Sequence, residues 1–325
     1  MVWATSRSKL AMPVFRSQRP KTRARRTSLA RSTQVPTTGA RSSVVIEQLG
    51  LVPFALSIAL AFDTAAASLA SLLVRDAIRG PAVSVGSLQG TALVLVVVTL
   101  PILIASMTLA ARGSGLALIG WFGAVGSIAY QSVLFLFATP FNAFFFLYVG
   151  MLSLSIWSLV ALLSHVPVGR LAERFGPRTP VRALAAYLLI NAGLFLLLWL
   201  RATVPAVLST EPPAFLEGTG MTTGPVQVMD LAFTLPLMTL AAVWLWQRRP
   251  WGYLLTGGLL VMLAIETTSI GTDQWFGHAA DPASPVASAA VVPVFAVLTV
   301  IGLAALGVYL RAWGSTAPSE GEARS

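Results

Sequence analysis

Long apolar runs alternate with short polar breaks along the chain, and the pattern begins only near residue 49. Eight runs follow: Leu49–Val74, Thr91–Ala111, Gly115–Ala138, Ala143–Leu163, Ala183–Leu200, Val226–Trp246, Trp251–Ile270 and Val286–Leu310. Each approaches or exceeds the roughly 20 residues that cross a hydrocarbon core about 30 Å thick. No water satisfies backbone groups in that core, so each run is predicted to be a helix, and no alternating strand pattern competes. The fold class expected is all-α, a polytopic helical membrane protein of about eight transmembrane helices. Residues 48–312 form its membrane domain. Residues 1–47 read as a basic disordered tail and residues 313–325 as a short disordered C-terminal tail.

Composition supports this class. Hydrophobic residues make up 56% of the 325 and charged residues 10%, where a soluble domain carries about 25% charged residues. The pI near 11.1 invites a nucleic-acid reading, but the placement of the charge argues against one. Ten of the 22 basic residues lie in residues 1–46, a stretch without an acid, and most others sit in short loops. The tail is read as a solvated cytoplasmic segment that touches anionic lipid; an early start codon and a transit peptide are the alternatives. Arginine outnumbers lysine, which occurs only at Lys9 and Lys21, and Ala, Gly and Pro abound. That bias of a GC-rich coding sequence points to a bacterial plasma membrane.

The loops orient the chain. Arg112, then Arg170, Arg174, Arg178 and Arg182, then Arg248 and Arg249, then Arg311 fall on one side. The other side has Arg75, Arg79 and Arg201 against Asp76, Glu211, Glu217, Asp273 and Asp281. Positive residues stay inside, so both termini are expected in the cytoplasm. Trp246, Trp251 and Trp313 mark inner boundaries, and Trp199 and Trp275 outer ones.

An internal echo accompanies the pattern. Thr99-Leu100-Pro101 in the second run recurs as Thr234-Leu235-Pro236 in the sixth, 135 residues on. The same offset lays the first run on the fifth and the third on the seventh, and it carries Gln131 onto Glu266. Four helices per half preserve orientation, so the expectation is a 4+4 parallel repeat. Two unrelated proline-kinked helices are the alternative.

Phosphate-loop, nucleophile-elbow, zinc-protease and dinucleotide motifs are missing from the sequence. No cysteine is present, and His165 and His278 fall at opposite faces. No catalytic set, metal site or cofactor is therefore expected. What remains is polar residues inside apolar runs, which are costly there and face the bundle interior by default. Asp63, Gln131, Asn191, Asp230 and Glu266 form this candidate intramembrane site, placed from mid-membrane outward. No basic residue lies deep in any run. A carboxylate there must take up a proton, hold a cation or meet the outer Arg75 and Arg201. For Asp230, close behind Pro225, a first-turn role at the helix dipole is the simplest expectation. Hydrogen bonding across helices is the plain structural alternative for all of them.

Several blocks resemble a group of uncharacterised bacterial multi-pass membrane proteins. They are Arg75-Asp76, Arg112-Gly113-Ser114, Phe141-Asn142 with Leu147-Tyr148, and Pro225, Asp230-Leu231 and Leu235-Pro236 running into Arg248-Arg249-Pro250 and Gly252. They cover residues 49–270 and depart from the pattern at Val74 and Gly224, where it has a tyrosine and an asparagine. The resemblance implies topology and no activity. Three functions stay open: a secondary-transporter-like or permease-like protein acting on a small molecule or ion, a membrane-embedded enzyme acting on a lipid-linked substrate, and a non-catalytic subunit or scaffold.

Overall fold

A computed structural model describes residues 50–74, 78–211 and 213–314. The expectations for the basic tail, for Arg75-Asp76 and for residues 315–325 lie outside the described residues. The chain is all-α, and eight of its helices are long and apolar enough to cross a membrane. They are α1 (Leu51–Leu73), α2 (Ala82–Ala111), α3 (Ala117–Phe137), α4 (Phe145–His165), α5 (Val181–Leu208), α6 (Pro225–Trp246), α7 (Pro250–Ala280) and α8 (Ala289–Arg311). This is a multi-pass integral membrane protein.

Three helices run further than their apolar runs. α2 starts at Ala82 rather than near Thr91, α5 continues past Arg201 to Leu208, and α7 continues past Ile270 to Ala280. The extra turns of α2 and α7 mix glycines and polar residues into the stretch where the two helices pack on each other, which hydropathy cannot tell from loop. Gly86 and Gly90 of α2 lie so close to the α7 backbone that an added Cβ would stand 2.5 Å from Phe276 O and 2.6 Å from Thr272 O respectively. Nothing in Ala202-Thr203-Val204 breaks α5, and Pro205 falls in its last turn.

α7 is the central helix: 83% of its most apolar window is buried, against 6% for α8. It packs on α2, α3, α6 and α8, while α1 packs on α2 and α4 and α5 packs on α6. Outer faces such as Ile190, Leu194 and Leu197 on α5 and Val294, Val297 and Val300 on α8 are exposed in the protein and suit hydrocarbon.

The 135-residue offset reappears in the backbone. α2 contains a π turn at Leu95–Thr99 and α6 one at Asp230–Thr234, each just before its Leu-Pro pair. A proline has no N–H to give and its ring crowds the carbonyl four residues back, so widening the preceding turn relieves both problems. The helices then end at equivalent residues, Ala111 and Trp246. Each is followed by a left-handed residue, Gly113 at φ 94° and Arg248 at φ 54°. The caps match bond for bond. Gly113 N–H donates to Ala110 O and Ser114 N–H to Leu109 O; Arg248 N–H donates to Leu245 O and Arg249 N–H to Trp244 O. This is a helix stop of the Schellman type, in which glycine is the usual left-handed residue. Arg248 tolerates the strain while its Nη2 donates to Pro177 O at 3.0 Å.

Candidate functional site

On α3, Ser127 and Gln131 are four residues apart and therefore share a face with Tyr130 beside it. On α7, Glu266, Ser269 and Asp273 recur at three- and four-residue steps on one face. The first two rows interlock. Glu266 accepts from Ser127 Oγ at 2.7 Å through Oε1 and from Gln131 Nε2 through Oε2. Gln131 Nε2 also donates to Ser269 Oγ at 3.3 Å. Glu266 and Gln131 are both buried, and Gln131 Oε1 has no hydrogen-bond partner.

Asp230 enters from α6. Its Oδ1 accepts from Tyr130 Oη at 3.2 Å and its Oδ2 from Trp199 Nε1 of α5 at 2.8 Å. The expected first-turn role is thereby corrected. Asp230 sits in the π turn beyond the first turn, and its carboxylate is held by side chains of two other helices. All four carboxylate oxygens of Asp230 and Glu266 thus accept from neutral donors.

All of these groups except Ser127, which reaches the site through Glu266, line one cavity of about 570 Å³. Asp273, Gln274, Ser87 and Thr91 also border it, and its walls are mostly apolar, with Phe195, Phe215 and Phe295 among them. It reaches the end of the bundle that bears the loops after α1, α3, α5 and α7, since Ala138, Thr219, Met221 and Pro285 line it. A second cavity of about 40 Å³ touches the same two carboxylates and Tyr130, but is bordered by Met238, Leu259 and Met262 towards the other end. Asp230 and Glu266 therefore stand between a wide chamber and a narrow one.

The other two sequence candidates stand apart. Asp63 on α1 lies against Gly150 of α4, where an added Cβ would come 2.6 Å from its Oδ2, an oxygen with no partner. Asn191 donates to Tyr187 O at 2.8 Å in its own helix. Neither lines the cavity. Conversely, Tyr130, Trp199, Ser127 and Asp273 join the site although the sequence did not single them out for it. Asp273 read as a loop acid because the seventh apolar run ends at Ile270, yet its seven-residue spacing from Glu266 carries the signal. Trp199 read as an interfacial residue, and nothing in the sequence shows where its N–H points.

No known protein family, curated protein or solved structure matches the chain. The class defined by the fold is a multi-pass helical membrane protein with a largely apolar chamber inside its bundle, bordered by three acids.

Proposed function

We propose that this protein is permease-like, moving a small solute by way of the chamber that Asp230 and Glu266 floor. The reading is carried by the position of these carboxylates between the wide cavity and the narrow one. The arginine bias supports an orientation with the wide mouth outside and both termini in the cytoplasm, and the coding bias supports a bacterial plasma membrane as the setting. Carriers bind at mid-membrane between repeats and expose the site to one face at a time. α6 supplies the hinge: Asp230 lies on its π turn and Pro236 follows within two turns, so a bend there displaces one carboxylate against the other on unbroken α7.

We also infer that the two four-helix halves are a parallel repeat, supported by the matched π turns, prolines and caps. Gln131 and Glu266, 135 residues apart, touch each other. Under a two-fold relation, residues that meet their own counterparts lie on the axis, so the axis would pass through the site.

The absence of cysteine makes the test direct. Single replacements Ser84→Cys at the mouth and Met238→Cys beyond the carboxylates are probed with an impermeant thiol reagent on intact cells and on inverted vesicles. A permease labels at Ser84→Cys from outside, and at Met238→Cys from inside. Labelling of Ser84→Cys from outside alone, with Met238→Cys silent from both faces under every condition, would sink the proposal in favour of a static binding chamber.

A further inference from the structure

The chamber has an excess of hydrogen-bond acceptors. The donors that face its acids are already engaged: Tyr130 Oη and Trp199 Nε1 on Asp230, Ser127 Oγ and Gln131 Nε2 on Glu266, and Gln274 Nε2 on Asp273. The Gln227 amide stands free nearer the mouth. Ser87 Oγ donates to Asp273 O and Ser84 Oγ to Thr219 O. What remains at the acids is acceptor capacity. Each carboxylate oxygen has a further lone pair, and Gln131 Oε1, in a residue only 3% exposed, has no partner at all. Three carboxylates border the cavity, and no Lys or Arg among the described residues does. The outer Arg201 is exposed on α5 and lines nothing here, as is Arg79 in the first loop.

From this imbalance we infer the chemistry of the ligand: an organic ammonium, a protonated amine carried on an apolar body. Resting on the permease reading only for its physiological meaning, the inference concerns binding. An ammonium has three donors, no acceptor and a positive charge, which complements a floor of buried acids without a basic partner, since a cation beside them favours their ionised, accepting form. Phe195, Trp199 and Phe215 supply the rest, because aromatic faces attract cations and their bulk suits a hydrocarbon moiety. At about 570 Å³ the chamber has the dimensions of a small-molecule pocket. A bare alkali ion needs a tight shell of oxygens, and such an apolar, roomy wall does not provide one. A carboxylate or phosphate ligand would bring charge of the wrong sign to acids that already lack free donors.

Three isosteres test this on the full-length protein in nanodiscs, by titration calorimetry: 4-phenylbutylammonium, 4-phenylbutanol and 4-phenylbutyrate. The ammonium is expected to bind at least about tenfold more tightly than the alcohol, with the carboxylate undetectable. Ala138→Trp, which fills the mouth and leaves every acid in place, is expected to abolish binding, and Glu266→Gln to weaken it by about tenfold or more. If Glu266→Gln does not fold, the wild-type series and Ala138→Trp still separate the outcomes. Equal affinity for the ammonium and the alcohol overturns the inference, as does undiminished binding to Ala138→Trp. Sodium or potassium displacing the ammonium at equal concentration overturns it in favour of a metal-cation site. The two proposals fail separately. Ammonium binding without two-sided cysteine labelling removes transport and keeps the ligand class; two-sided labelling with preference for the alcohol does the reverse.

Discussion

Laid over one another at the 135-residue offset, α2 and α6 share their π turns, prolines and caps, while the two halves differ at two seams: α4 packs on α1 where α8 barely meets α5, and the second difference borders the chamber. In the first half, α2 closes tightly on α7; its counterpart contact, α6 on α3, is slight. The lengths explain why. α2 has 30 residues and α7 has 31, whereas α6 has 22 and α3 has 21. The closed pair is long at the mouth end, and the open pair is short there. Pro140 lies beyond the end of α3, and α6 cannot begin until Pro225. Gly86 and Gly90, which admit α2 to the α7 backbone, fall at the offset on Met221 and Pro225, and both of those line the chamber. At these offset positions a few residues separate a closed seam from an open one, and the open one borders the cavity.

Four tests break or sharpen this contrast. The greatest effect is expected from Gly90→Leu, which forces a side chain into the closed seam and should cost about 3 kcal/mol or more, with loss of monodisperse protein on size exclusion. Pro225→Leu at the matching open position should leave yield near wild type; equal loss in both would mean the seams are alike. Next comes Gln131→Leu, which removes two donors from buried acceptors and should lower thermal stability by about 1–3 kcal/mol. Trp199→Phe keeps the aromatic wall but takes one donor from Asp230. A loss of about 0.6–1.7 kcal/mol in reversible unfolding is expected, as for interhelical hydrogen bonds in membranes. An unchanged midpoint would show that the indole N–H does not hold Asp230. Smallest, and opposite in sign, is Arg248→Gly. It relieves a left-handed backbone and should gain about 0.5 kcal/mol, while Gly113→Ala at the equivalent cap should lose about 1 kcal/mol. Matching signs at the two caps would refute their equivalence.

The sequence carried the eight spans because lipid-facing helices must be apolar, and it failed where helices face protein. Residues 82–90 of α2 and 271–280 of α7 carry glycines and polar residues where they meet each other and the chamber, so hydropathy stops short of them. The same blindness explains the site. Asp63, Asn191, Gln131, Asp230 and Glu266 all stand out as polar residues in apolar runs, but depth in the membrane does not give the direction a side chain faces. Three of them meet at the chamber and two do not. The offset added what depth could not, since it pairs Gln131 with Glu266 without knowledge of any contact. Asp273 and Trp199 take their class from their surroundings, as loop and as interfacial belt. Only the length of α7 and the reach of the indole bring them to the acids.

The π turn at Asp230–Thr234 has one further consequence. A π turn holds one residue more than the α ladder requires, and one residue corresponds to about 100° of helical phase. The part of α6 before the turn is therefore out of phase with the part after it by more than a quarter turn, and Asp230 faces the chamber by virtue of that surplus. Removing one residue from the turn would restore a regular helix and swing the carboxylate away from Tyr130 and Trp199 without changing a single side chain that touches it. α2 carries the same surplus at Leu95–Thr99, with Leu95 in the place of the acid. A phase device common to both halves thus presents an acid in only one of them.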